Sequence, residues 1–219
     1  MKKIVVVTPH PDDETLGCGG TLLLHKKNKD KIYWINFTSM FKNDGFSIKT
    51  ISRRNKEIKK ILKTYKFDKF IDLGYRTKFL DLVARDELIS RLSMEVNKIK
   101  PNTIYIPYWF DRHTDHQIVS NVSLTLTKSF RFSYIKKIYA YEIVSETNLQ
   151  YDNNFIPNSY VDITSTIKKK LNVLKIYRSE IKKHPFPRSK EVIYSQAIIR
   201  GSESGFKFAE AFHLVKETK

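Results

Sequence analysis

The sequence contains very little cysteine and no long apolar run. Cys18 is the one cysteine among 219 residues, and a single thiol excludes an intramolecular disulfide and a zinc site built from several cysteines. The apolar run that follows Lys3 spans only about five residues, which is too short for the core of a signal peptide or for a membrane span. We therefore expect a cytoplasmic protein without a transmembrane segment.

Acidic residues are scarce relative to basic ones. The chain has 23 Asp and Glu against 40 Lys and Arg, a formal net charge of +17, and such an excess favours phosphate, anionic lipid or acidic glycan as a partner. The lysines are nevertheless spread over predicted helices, as in KEIKKILK at 56–63, so a lysine-rich composition explains most of the charge. We expect no specific nucleic-acid partner, while a substrate on an anionic carrier stays open. The oligomeric state is not predicted.

The composition is otherwise that of a globular protein. Hydrophobic residues make up 41% of the chain and charged residues 29%, and a chain of this length can bury one sizeable core. No internal repeat or low-complexity linker interrupts it. We predict a single domain over residues 1–219.

Short strand-like segments alternate with helix-like ones. Five segments rich in Ile, Val and Tyr predict strands at 3–8, 31–38, 68–74, 103–108 and 135–144. Apolar residues spaced by three and four predict helices at 14–28, 47–66, 81–100 and 114–130. This alternation predicts an α/β protein with a Rossmann-like, mostly parallel sheet and helices on both faces, in an α/β/α layered arrangement.

The pattern is less regular after residue 144. YVDIT at 160–164 predicts a short strand that ends at Thr164, which would then cap a helix over 167–183. HPFPRSK at 184–190 contains two prolines and predicts a break. A further helix is expected at 191–201.

A histidine and two adjacent carboxylates follow the first predicted strand. The stretch TPHPDDETLG at 8–17 places His10, Asp12 and Asp13 at the carboxyl end of that strand, where open parallel sheets bind their ligands. One Asp before a helix is a common N-cap, and Glu14 would suit the helix N-terminus. Two carboxylates without a neighbouring Lys or Arg repel each other unless a cation or a proton lies between them. The stretch therefore favours a metal site or an acid-base site.

A second polar stretch follows the fourth predicted strand. YWFDRHTDHQIV at 108–119 places His113 and His116 three residues apart, a spacing that directs both rings to one side of a first helical turn. Asp111 and Asp115 are close enough to orient a ring through its second nitrogen. The two stretches together supply the nitrogen and oxygen ligands of a zinc-type catalytic site that keeps one position open for water.

These motifs resemble those of the PIG-L and LmbE-like de-N-acetylases, zinc-dependent enzymes that remove acetyl groups from amino sugars. PHPDDETLGCGG and DRHTDH carry the resemblance, and RRNKE at 53–57, YEI, YVDIT and RGSESGFKFAEAF add weaker similarity. The resemblance implies that His10, Asp13 and His116 bind the metal and that Asp12 is the general base. The metal would be Zn²⁺, although Fe²⁺ or another divalent metal accepts similar ligands.

The resemblance also implies roles for the remaining polar residues of the second motif. A protonated His113 would stabilise the tetrahedral intermediate or act as the acid, and Asp115 would orient His113 and raise its basicity. Asp111 would likewise orient a histidine, or it would contact substrate.

Candidate substrate-binding residues are less distinctive. Arg54, with Glu57 three residues later, resembles a substrate-side motif of the family and could hold sugar hydroxyls or a phosphate, but a surface ion pair on a helix is an equal interpretation. Trp109, between two other aromatic residues, could stack on a sugar or pack in the core. Arg200 and Glu210 could contact substrate or form a structural pair.

We expect a hydrolase that removes the N-acetyl group from an amino sugar, either free or carried on a nucleotide, lipid or glycan precursor. The chain length and the DxHxDH spacing are similar to relatives in surface-glycan or small-thiol biosynthesis. A metal-dependent hydrolase of a non-sugar amide or ester would show the same metal residues. A basic nucleic-acid-binding protein with a structural metal is a further alternative.

Overall fold

The computed structural model describes residues 1–149 and 154–219, and its centre is a seven-stranded sheet. In chain order the strands are β1 (Lys3–Thr8), β2 (Lys31–Ser39), β3 (Lys69–Arg76), β4 (Thr103–Pro107), β5 (Lys137–Tyr141), β6 (Ser159–Asp162) and β7 (Ala209–Glu217). The helices are α1 (Asp13–Lys27), α2 (Ile48–Tyr65), α3 (Arg85–Ile99), α4 (Thr114–Leu124), α5 (Ile167–Leu174) and α6 (Lys190–Ser204). The strands lie in the order β3-β2-β1-β4-β5-β7-β6.

The first five strands form the parallel part of the sheet, which confirms the predicted α/β fold. β1 lies between β2 and β4, and β2 and β4 pair in parallel with β3 and β5. The strand order therefore reverses at β1, and open α/β sheets bind ligands beyond the carboxyl ends of strands at such a point. Both polar motifs of the sequence begin there, one after β1 and the other after β4.

Alternate residues of β1 contribute to two separate apolar cores. Ile4 and Val6 pack with Trp34, on the face that also holds α1 and α5, whereas Val5 and Val7 pack among residues of α3 and α4 on the other face. Successive side chains of a strand point to opposite faces. A strand covered on both faces is apolar throughout, and this is why KIVVV has no alternation.

The later part of the chain differs from the prediction. β7 was not predicted, and it runs antiparallel between β5 and β6. The helix expected over 167–183 ends at Leu174, and its N-cap is Thr166 rather than Thr164. α3 begins at Arg85 after a 3₁₀ turn, and α4 ends at Leu124. Among the described residues, no helix is long and apolar enough to cross a membrane.

Candidate active site

The loop from β1 to α1 carries the first motif. α1 begins at Asp13, and the residue before it, Asp12, has φ 142° and ψ −27°, a conformation that costs a non-glycine residue about 1–3 kcal/mol. Its neighbours hold it there, because the Asp12 amide donates to Glu14 Oε2 at 3.0 Å and the Asp12 carbonyl accepts from Leu16 N at 2.9 Å. Strain that the surrounding structure maintains is typical of functional loops.

Glycine at position 17 allows α1 to approach the sheet beneath the loop. A Cβ at Gly17 would lie 2.3 Å from the ring of Tyr141, so no other residue fits. The Tyr141 hydroxyl donates to the Val7 carbonyl at 2.8 Å. The glycines of TLGCGG therefore serve close helix packing at this position.

The loop from β4 to α4 brings the second motif to the first. His113 is the N-cap of α4, and its Nδ1 accepts a hydrogen bond from the Asp115 amide at 3.1 Å. His116 lies one turn further and faces His10, with their ring centroids 5.2 Å apart. The two histidines predicted to share one ion therefore meet in space.

Three ligand atoms form a nearly equilateral triangle. His116 Nε2 lies 3.3 Å from His10 Nδ1 and 3.4 Å from Asp13 Oδ2, and His10 Nδ1 lies 3.5 Å from Asp13 Oδ2. Ligand atoms about 2.0–2.2 Å from a tetrahedral metal lie about 3.3–3.6 Å from one another. The dimensions of the triangle therefore fit zinc-type coordination by these three residues.

A carboxylate supports each histidine of the triangle from behind. Asp111 Oδ2 lies 2.9 Å from His116 Nδ1, and Asp115 Oδ2 lies 2.9 Å from His10 Nε2. Metal-binding histidines usually donate their second nitrogen to such a group. Two expectations need correction. The Asp115 carboxylate orients His10, and only the Asp115 backbone amide reaches His113. Asp111 is 0% exposed, and its carboxylate supports His116 rather than facing the solvent.

Because Asp111 and Asp115 bond the outer nitrogens of the two histidines, three atoms that carry lone pairs face one another in the triangle. The ring nitrogens next to Asp111 and Asp115 carry the hydrogen in neutral histidine, so the facing nitrogens of His10 and His116 present lone pairs to Asp13. Asp13 Oδ1 is buried and has no hydrogen-bond partner among the described residues. Such an arrangement calls for a cation, and the donor set fits a divalent metal.

A second triad could be drawn from His10, His113 and Asp115. In this triad Asp115 Oδ2 lies 2.9 Å from His10 Nε2, a hydrogen-bond distance shorter than the separation of two ligand atoms on one metal, and it also accepts from the Lys78 amide at 2.7 Å. The first triad is therefore the better metal site.

A family model described as GlcNAc-PI de-N-acetylase (PIG-L) matches residues 5–127, more than half of the chain. The chain belongs to the PIG-L family. The matched segment extends from β1 through α4 and so includes both motifs and all three residues of the triangle.

Individual relatives share the fold at low identity. Diacetylchitobiose deacetylase of Thermococcus kodakarensis is 22% identical over 98% of this chain and 84% of its own length. The structure of N,N'-diacetylchitobiose deacetylase from Pyrococcus horikoshii matches with a TM-score of 0.78 and 20% identity, over 98% of this chain and 84% of that one. GalB of Pseudomonas putida, a 4-carboxy-2-hydroxymuconate hydratase, matches with a TM-score of 0.73 and 18% identity, over 100% and 98%. The fold therefore carries more than one chemistry.

Within this PIG-L site, His113 differs from the expected protonated residue. Burial lowers the pKa of His113 to about 4. Its Nδ1 accepts the Asp115 amide hydrogen, so the hydrogen of the neutral ring must lie on Nε2. His113 also lines the cavity described below, and it can act there as a neutral hydrogen-bond donor.

The two adjacent carboxylates have opposite electrostatic environments. Burial and the charge of Asp13 raise the pKa of Asp12 to about 7, although Arg188 opposes them. Burial would also raise the pKa of Asp13, but His116 and His10 hold it below its usual value. Asp13 therefore suits a ligand that stays ionised, and Asp12 suits a group that exchanges a proton near neutral pH.

A cavity of about 640 Å³ opens beside the triangle. Its lining includes His10, Asp12, His113 and Arg54 of the predicted site residues, and it extends to the segment after β2 and to the end of β3. Volumes of this size are typical of small-molecule sites. Asp12 and His113 thus border both the metal triad and the space available to a substrate.

Two of the predicted substrate residues make contacts within the protein. Arg54 is buried, donates to the Pro11 carbonyl and to Glu180, and lies 3.4 Å from Glu57 Oε2, so it forms a buried ion-pair network rather than a surface pair. Trp109 packs on Tyr108 with ring centroids 4.4 Å apart and does not line the cavity. Stacking of Trp109 on a sugar therefore stays a prediction, with no contact between Trp109 and this cavity to support it.

Arg200 and Glu210 pair with other residues, not with each other. Arg200 donates to both carboxylate oxygens of Glu142, at 2.8 and 2.7 Å. Glu210 Oε1 lies 2.7 Å from Lys170 Nζ. Neither lines the cavity beside the triad.

Arg188 is the main site residue that sequence reasoning missed. It lies in the Pro-containing segment at 184–190, where only a break was predicted, and its Nη1 donates to Asp12 Oδ2 at 2.9 Å. Positions 12 and 188 share no motif or spacing, so nothing in the sequence alone linked them.

Proposed function

We propose that the chain is a metal-dependent de-N-acetylase that hydrolyses the N-acetyl amide of an amino sugar. The triangle of His10, Asp13 and His116, with Asp12 and His113 between it and the cavity, is the observation that carries this proposal. Membership of the PIG-L family and the similarity to diacetylchitobiose deacetylases support it. Zn²⁺ is the proposed metal, because the triad has two nitrogens and one oxygen at tetrahedral spacing.

A bound metal supplies Lewis acidity, which lowers the pKa of water towards neutrality. Asp12 accepts a proton from that water as the water oxygen forms its bond to the amide carbon. A carboxyl group with a pKa of about 7 can both take this proton and return it at neutral pH. We assign Asp12 as the general base, and it then delivers the proton to the departing amine as the carbon–nitrogen bond breaks.

His113 stabilises the charge that develops on the amide oxygen. Its neutral ring donates from Nε2, while the Asp115 amide fixes the ring through Nδ1. A donor that is already oriented requires no reorganisation when the charge forms. The products are acetate and the free amino sugar.

The test is release of acetate from a panel of N-acetylhexosamines. Purified chain is loaded with Zn²⁺ and incubated with N-acetylglucosamine, diacetylchitobiose, a nucleotide-linked and a lipid-linked N-acetylglucosamine. We expect acetate and an equimolar amount of primary amine from at least one substrate, and none after the metal is chelated. Hydrolysis of non-sugar amides or esters alone, with the whole sugar panel inert, would contradict the assignment of an amino sugar.

A further inference from the structure

We propose that Arg188 is a positioning residue that holds the carboxylate of Asp12 in the orientation required for proton transfer. The inference rests on the proposed function, and it assigns to the segment between α5 and α6 a part in the reaction. That segment lies outside the part of the chain that the family model matches.

The Asp12 side chain has few other restraints. Although Asp12 occupies the N-cap of α1, its carboxylate makes no capping hydrogen bond. Among the described residues, its one side-chain partner is Arg188, which donates from Nη1 to Oδ2 at 2.9 Å. The backbone contacts of Asp12 fix where the side chain starts, and Arg188 fixes where the carboxylate points.

Arg188 is itself held by groups from another loop. Its Nε donates to Ser145 Oγ at 2.8 Å and its Nη2 donates to Glu146 Oε1 at 3.3 Å, and its Nη1 lies 3.6 Å from Glu180 Oε2. The side chain is only 16% exposed. A planar guanidinium bonded along both edges cannot rotate without breaking several hydrogen bonds, so it is a rigid support for Asp12.

The neighbouring arginine cannot take this role. Arg54 donates to the Pro11 carbonyl, to Ser179 and to Glu180, and it makes no hydrogen bond to Asp12. It holds the backbone of the loop, whereas Arg188 holds the reacting side chain. The two arginines share Glu180 as a partner and form one network along the wall of the cavity.

The first experiment measures kinetics of Arg188→Ala and Arg188→Lys in the Zn²⁺-loaded enzyme. We expect kcat to fall about 100-fold in Arg188→Ala, because displacement of a catalytic group by about 1 Å costs that much, with little change in KM. Metal content and melting temperature should stay at the wild-type values. Arg188→Lys should recover only part of the loss, since an ammonium group cannot bond along two edges.

Guanidinium ion provides a readout that a structural role would not affect. At about 20 mM, far below the molar range that unfolds proteins, it should restore part of kcat in Arg188→Ala and leave the wild type unchanged. The matched control is Arg200→Ala, because Arg200 is 13% exposed and pairs with two carboxylates outside the cavity. Arg200→Ala should lose thermal stability and show no rescue of kcat by guanidinium.

A double-mutant cycle with Asp12→Asn tests whether Arg188 acts through Asp12. We expect Arg188→Ala to reduce the residual activity of Asp12→Asn by less than twofold, because groups that act as a unit are strongly non-additive. Additive losses would overturn the inference. Loss of metal or of thermal stability in both Arg188 variants would overturn it as well, by showing a structural role. An inactive wild type would instead count against the proposed function.

Discussion

Asp12 and Asp13 are adjacent in sequence, but their environments suit different roles in the proposed reaction. Asp13 faces two histidines, and these hold its pKa below the usual range, while burial beside a second carboxylate raises the pKa of Asp12 to about 7. Their roles follow from this difference in environment, since pairs of titratable groups whose pKa values are pushed apart mark acid-base and ligand assignments. Two identical side chains in one motif are therefore not interchangeable.

Replacing Asp12 by Asn should abolish catalysis and leave the metal bound. Asn has nearly the shape of Asp but cannot take a proton from water, so we expect kcat to fall about 10²- to 10⁴-fold. Zinc content, measured by atomic absorption, should remain at the wild-type stoichiometry, and acetate release gives the rate. Turnover within a factor of three of the wild type would show that Asp12 is not the base.

His116→Ala is the paired control for Asp12→Asn. It removes one corner of the triangle and leaves Asp111 without its imidazole partner, so we expect metal and activity to be lost together. Stoichiometric zinc in the purified His116→Ala protein would be inconsistent with His116 as a ligand.

At the residue scale, the meeting of His10, Asp13 and His116 was predictable, but the pairing of each supporting carboxylate with its histidine was not. His10, Asp13 and His116 lie in two motifs that follow neighbouring strands, so topology alone brings them together. The partner of Asp115 was assigned by proximity in sequence, yet its carboxylate bonds His10, 105 residues away. The Asp115 backbone amide instead donates to His113. Sequence spacing does not show that the backbone and the side chain of one residue bond different histidines.

At the element scale, α1 is interrupted and an ion pair compensates for the interruption. Cys18 has non-helical φ −141° and ψ 24°, so the regular geometry of the helix is interrupted at this residue. Lys170 Nζ donates to the Leu16 carbonyl at 2.8 Å, and Gly20 N donates to Glu210 Oε1 at 2.8 Å. The pair of Lys170 and Glu210 thus bonds backbone groups on both sides of the interruption.

Lys170→Met should destabilise the fold strongly, because it leaves Glu210 charged and unpaired in the core. Removing one member of a buried ion pair costs about 3–5 kcal/mol, and the Leu16 carbonyl loses its donor as well. Denaturant unfolding of the apo protein measures the change. Adding Glu210→Gln should recover part of the loss, since the buried charge is then removed.

The exposed pair of Lys137 and Glu217, 39% and 37% exposed, is the matched control for this cycle. Lys137→Met should cost at most about 1 kcal/mol. Equal destabilisation by Lys170→Met and Lys137→Met would show that the buried pair does not compensate for the break in α1.

Sequence patterns predicted the elements that local periodicity controls. β1 was predicted with its observed bounds, and β2 to β5 within a few residues, because each strand coincides with a short run rich in Ile, Val, Tyr or Phe. The predicted continuation of α5 failed for a tertiary reason. Residues after Leu174 turn back towards α1, where the Tyr177 hydroxyl donates to Glu14 Oε1 at 2.9 Å and Arg188 reaches Asp12. These contacts outweigh a weak local helical preference.

At the scale of the whole molecule, the net charge is +17, and two lysines place part of this positive charge at the cavity beside the triad. Lys42 and Lys78 line it, both are exposed, and neither has an ion-pair partner in the part of the chain that the structure describes. The arginines of the cavity are neutralised by Asp12, Glu146 and Glu180. Any long-range attraction of an anionic substrate therefore comes from the lysines and from the net charge.

This distribution predicts a salt dependence that differs between substrates. The screening length falls from about 30 Å at 0.01 M to about 8 Å at 0.15 M salt, so kcat/KM for a nucleotide-linked N-acetylglucosamine should fall several-fold over that range. For uncharged diacetylchitobiose the change should be less than twofold, because a neutral molecule is not steered by the net charge. Lys42→Gln combined with Lys78→Gln should flatten the response to the nucleotide-linked substrate, whereas a doubly substituted control at Lys168 and Lys190, outside this cavity, should not. An identical salt response of the charged and the uncharged substrate would mean that the positive surface does not take part in substrate capture.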